Sequence, residues 1–162
     1  MDKNSSKSII QRFLFKVQNN PDFFNYFNVE EDEAMELALR RTRGYLSEAL
    51  SVLTLKCSPD VDFKSYDEEL EEFPFDIVES EIELIATIMF ELFLAKDIAK
   101  LRVHNNLLTS QDLKSVYGVG YAERRSFVEM YEKTQTWSDN LIDGYIARDR
   151  LTGKRKTIIY DL

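Results

Sequence analysis

Apolar residues recur at helical spacing as far as about Tyr145, and after that a basic run and a β-prone run follow, Lys154-Arg155-Lys156-Thr157-Ile158-Ile159-Tyr160. That break limits the fold more than any other feature. In 6–18, Ile9, Ile10, Phe13, Leu14 and Val17 share one side of a helix that Pro21 ends. Residues 22–27 form an aromatic connector. A second helix is expected after Asn28 as its cap, with Glu30, Glu31, Asp32 and Glu33 in the first turn, where carboxylates suit the helix dipole. It continues through Leu39, Leu46, Leu50 and Leu53 toward Leu55, with Arg40, Arg41 and Arg43 on its outer side to pair with carboxylates. Gly44 inside it calls for close packing or a bend.

A third helix is expected over 75–103. Its apolar positions, among them Ile82, Ile85, Met89 and Phe93, surround much of the circumference, which marks a central, buried helix. A short helical turn over 110–117 and a final helix from Tyr121 follow, with Gly153 as the left-handed terminator of the latter. The pattern predicts an all-α bundle of about four main helices with a long central hydrophobic helix, a body over 1–147 and an extended C-terminal arm over 148–162. A lone strand leaves its backbone donors and acceptors unpaired, so the arm is expected to dock on another subunit or partner. Lys154, Arg155 and Lys156 would meet an acidic partner, and Ile158, Ile159 and Tyr160 would anchor an added strand. The alternatives are a local hairpin across Thr152-Gly153 or a frayed end. Trp137 either covers the core edge or anchors an interface.

The 162 residues suit one domain with one core. The most hydrophobic stretch, 82–94, carries Glu83 and Glu91, so no membrane span is expected. The opening Met1-Asp2-Lys3-Asn4 leads into a mixed helix rather than an apolar signal segment, and Cys57 is the only cysteine; both predict a protein made and used in the cytosol. Cys57 reads as a small buried hydrophobe. Residues 1–100 hold 11 Lys and Arg against 21 Asp and Glu, whereas 101–162 hold 10 against 8. The sharpest acidic block lies in 60–83, through Asp60, Asp62, Asp67, Glu68, Glu69, Glu71 and Glu72 and on to Asp76, Glu79, Glu81 and Glu83. Such a face repels nucleic acid instead of gripping it. It reads first as the solvated edge of a long acidic loop, 58–74, that is functional or mobile. The alternative function is a small acidic binding module or DNA-mimic regulator acting through 60–83.

Catalytic parts are scarce. His104 is the only histidine, placed where a helix is expected to end, which suits a cap or dipole partner. No Glu-x-x-His or His-x-x-x-His spacing exists, so no metal centre is expected. Asp60-Val61-Asp62 echoes a calcium loop, but Lys64 and Ser65 stand where an oxygen ligand and the turn glycine belong. Gly118-Val119-Gly120 and Gly153-Lys154 lack the remaining glycines of nucleotide loops and read as turns. The expectation is no enzyme and no cofactor.

A small acidic helical body, a long central hydrophobic helix, a final helix and a basic extended tail over 152–162 together resemble the head–tail connector, or adaptor, proteins of tailed bacteriophages. The resemblance is one of layout. It implies a homo-oligomeric ring of twelve subunits beneath a portal protein, tails inserted into the portal or neighbouring neck, stopper or tail proteins, and DNA passing through the lumen without specific binding. The location implied is the virion neck, assembled in the host cytoplasm. Acidic residues on the lumen wall would let DNA slide.

Overall fold

The computed structural model describes residues 4–19, 23, 29–107 and 121–157, with side chains described at all of these except 97–107 and 121–124. Among the described residues four α-helices follow one another: α1 Lys7–Val17, α2 Glu31–Lys56, α3 Glu79–Leu107 and α4 Tyr121–Ile146. The described residues hold β-pairing only as isolated bridges. The chain is thus an all-α bundle. None of the described helices is long and apolar enough to cross a membrane.

The bundle is built around α3, against which α1, α2 and α4 each pack. Leu84, Ile85, Ala86, Thr87, Ile88 and Met89 are consecutive and all buried, so every face of this helix meets protein. The other helices are one-sided. Helix α1 buries Ile9, Ile10, Phe13 and Val17, and α2 buries Ala38, Thr42, Tyr45, Leu46, Ala49, Leu50 and Leu53 at three- and four-residue steps. Leu55, expected to extend that stripe, is 85% exposed. Phe13, Phe23, Tyr45 and Phe93 tie α1, α2 and α3 together through edge-on and tilted ring contacts 5.6–6.2 Å between centres. Cys57 is buried there as a small hydrophobe.

Several boundaries differ from the sequence reading. Helix α2 begins at Glu31 after an extended Glu30, and the proposed cap Asn28 lies outside the described residues, as does the expected turn at 110–117. Helix α3 begins at Glu79 instead of 75, because the Glu81 carboxylate takes the Val78 N–H at 3.0 Å and starts the helix there. Helix α4 ends at Ile146, so Gly153, although left-handed at φ 67°, terminates a later turn and not the helix. A Cβ at Gly44 would meet nothing within 4 Å, so close packing does not account for that glycine.

The segment between α2 and α3 is ordered by its aromatics. Phe63 and Phe73 are buried and Phe75 half-buried, with Phe63 5.4 Å from Phe75 and 6.1 Å from Phe73. Asp62 accepts the Lys64 N–H at 3.0 Å, Asp67 accepts the Glu69 and Leu70 N–H groups, and a bridge pairs Asp67 with Glu72. The strap is stitched to the start of α1 by Ser6 N to Glu71 O at 3.0 Å and Phe73 N to Asn4 O at 2.8 Å. This acidic segment is therefore a packed strap.

Candidate functional site

Glu81 is the only fully buried charged side chain among the described residues. An isolated carboxylate in that position would cost several kcal/mol, so its partners decide whether the fold tolerates it. They come from three elements. Oε1 accepts from Arg150 Nε at 2.8 Å and from the Tyr145 hydroxyl at 3.0 Å, while Oε2 accepts from Arg150 Nη2 at 2.8 Å and from Val78 N at 3.0 Å. The two-pronged guanidinium grip is the geometry arginine supplies and lysine cannot. Arg150 Nη2 also donates to Asp76 O at 2.7 Å, and its guanidinium lies 5.4 Å from the centre of the Phe75 ring. Burial, then the charge of Glu81 and the hydrogen bond to it, push the Tyr145 phenol well above its ordinary value. The hydrogen bond to Glu81 raises Arg150 further, so the guanidinium stays charged.

A small hairpin delivers Arg150 to this position. Arg148 bridges Arg155, Lys156 N donates to Ala147 O at 2.9 Å, and Asp149 N donates to Lys154 O at 2.8 Å. The turn is made by Asp149, whose Oδ1 accepts from the Thr152 N–H and hydroxyl at 2.8 and 2.7 Å, and by left-handed Gly153. These bonds from Thr152 hold the Asp149 carboxyl below its usual range. Residues 148–156 are consequently clamped to the body, in the hairpin form that the sequence left as an alternative to a free strand.

Beside the hairpin lies a groove of about 620 Å³ between α1, the start of α3 and the end of α4. Arg12, bonded to Glu79 and Glu83, forms one wall. Trp137, Leu141 and Gly144 form the other, and Arg148 stands at the hairpin end. Trp137 is 53% exposed, so it anchors no core edge; a second hollow of about 360 Å³ on its far side is edged by Glu129 and Glu132. At Glu83, burial alone would raise the carboxyl, but bonds and charge from Lys16 and Arg12 outweigh it and hold the group low.

The expected docking residues divide. Lys154 and Arg155 are exposed, and Lys156 Nζ reaches Asp60 Oδ1 at 2.9 Å, which joins one member of the basic run to one of the acidic block. Ile158, Ile159 and Tyr160 lie outside the described residues. Among the acidic candidates, Asp62 and Asp67 cap turns, Glu71 bonds Arg43 at 2.7 Å, and Glu72 carries the backbone bridges. Glu68 and Glu69 are exposed and carry no ion pair among the described residues. The outer arginines pair as expected at Arg40–Glu36 and Arg43–Glu71, while Arg41 lies over the Phe23, Tyr45 and Phe93 rings. Helix α3 runs past His104, whose side chain is outside the described set. Among the described residues no group of His, Cys, Asp and Glu could hold a metal ion.

Sequence reasoning missed the Glu81–Tyr145–Arg150 cluster. Its one local signal is a glutamate three residues after the last non-helical position, without the usual Ser or Thr cap at Val78. Set beside protein-family models, curated proteins and solved structures, the chain matches none, so the clamped hairpin and the groove next to it are the basis for a functional reading.

Proposed function

We propose that this chain is a structural assembly subunit that docks through its C-terminal segment, and, at its most specific, a head–tail connector of a tailed bacteriophage. In that role copies form a ring between portal and stopper or tail proteins in the virion neck, and DNA passes through the lumen without being gripped. The chain acts by binding and catalyses no reaction.

The observation that supports this reading is the rigid root of the tail. Arg150 fastens the hairpin to a buried carboxylate, so the exposed Lys154 and Arg155 leave the body from a fixed position, and the β-prone residues follow them. A tail held at its root loses less freedom on docking than one free along its length. The competing acidic-module reading is weakened by the strap, where most carboxylates of 60–83 are already engaged in caps, bridges and ion pairs.

Light scattering over a concentration series tests the proposal, applied to the full chain and to one ending at Gly153, which retains Arg150. The expected result is an oligomer that the shortened chain cannot form. A mass of 19.0 kDa for both at every concentration, with or without a portal ring present, removes the assembly reading.

A further inference from the structure

Helix α4 has two flanks on either side of its buried face. Ser138 and Ile142 point into the core. At 100° per residue Asp139, bonded to Lys56 at the end of α2, lies on one flank, and Trp137, Leu141 and Gly144 lie on the other, lining the groove with Arg148 of the hairpin. The tail leaves on the first flank, since Lys156 reaches Asp60, just beyond the end of α2. Gly153 at the hairpin turn still lines the groove, but by Lys156 the described chain has reached the opposite flank.

From these placements we infer that residues 154–162 of one copy seat in the Trp137 groove of a second copy. This rests on the assembly reading above and names the surface that receives the tail. The order of chemistry matches on the two sides. The tail runs basic, apolar, acidic: Lys154, Arg155 and Lys156, then Ile158, Ile159 and Tyr160, then Asp161. The receiving face carries Glu132 beside Lys133 and the Arg125–Glu129 pair, then Trp137 and Leu141, then Arg148, so Glu132 and Arg148 are its unpaired anion and cation at opposite ends of the apolar stretch. Glu132 and Arg148 carry no ion pair among the described residues, so both charges are available to a partner. The lengths match as well. Glu132 to Leu141 spans about 13 Å of helix rise, and Arg155 to Ile159 in extended form spans about 13 Å. Because the donating and receiving surfaces differ, the contact is head-to-tail and propagates from copy to copy, closing into a ring where the rotation permits.

Trp137 is the single tryptophan, so its emission reports the groove directly. The first experiment follows the emission of the full chain on dilution, together with mass. The second titrates a synthetic peptide of residues 154–162 into the full-length double variant Ile158→Asp, Ile159→Asp. Seating in a second copy predicts emission that shifts to the blue as mass rises, a double variant that stays monomeric and red-shifted, and a saturable blue shift when peptide is added. Glu132→Lys in the same background should weaken peptide binding about tenfold. Emission that is blue at every dilution puts the tail in its own groove and overturns the inference. So does a peptide that leaves Trp137 unchanged, even if the chain still associates; in that case assembly stands and only the seat is lost. A peptide response in a chain that never associates shows only that the groove accepts a free tail segment, and overturns both seating between copies and the assembly reading.

Discussion

At the scale of single residues the fold depends on one carboxylate. Removing Arg150 as Arg150→Met leaves Glu81 buried with a neutral hydroxyl and one backbone amide, and should destabilise the protein by about 3 kcal/mol in denaturant melts. Adding Glu81→Met to that change should recover much of the loss, because both charges are then gone. Tyr145 adds a pH dependence whose sign follows from its raised phenol. Below the ordinary value of 10 both folded and unfolded chains hold the proton; above it the unfolded chain releases the proton first, so stability falls as pH rises. Denaturant midpoints between pH 9 and 11 should therefore decline in the parent protein and decline less steeply in Tyr145→Phe.

At the scale of elements, what was legible in the sequence was whatever obeys a period. The stripes of α1 and α2 and the all-round apolarity of α3 could be read because burial imposes spacing, and the helices appear where that spacing lies. The strap over 58–78 could not be read in this way. Its order comes from Phe63, Phe73 and Phe75 meeting across a non-repeating path and from backbone bonds to Asn4 and Ser6, more than sixty residues away in the chain. Composition alone pointed to its carboxylates and so to a solvated loop. The groove was hidden for a similar reason, since Arg12, Glu83, Trp137 and Arg148 belong to four separate stretches that only the bundle brings together. Gly44 permits a direct test within α2. With open space where its Cβ would be, Gly44→Ala should gain about 0.5–1 kcal/mol of stability from helix propensity, seen as a higher melting temperature.

At the scale of the whole molecule the folded body does not stop at 147. Ending the chain at Gly153 removes the exposed Lys156–Asp60 pair and the hairpin bonds Asp149 N to Lys154 O and Lys156 N to Ala147 O but keeps Arg150, and should lower the melting temperature by about 4 °C. Ending it at Ala147 removes Arg150 and should lower it by about 10 °C. The same arrangement bears on how the protein is made. Glu81 caps the start of the central helix, yet its counter-charge lies 69 residues later, so a ribosome must pass residue 150 before that helix start is neutralised. A product released before residue 150 carries a buried anion with no cation to meet it, and unfolds readily enough for cellular proteases to clear it. Only chains long enough to carry Arg150 persist, so prematurely terminated products do not accumulate beside the folded protein.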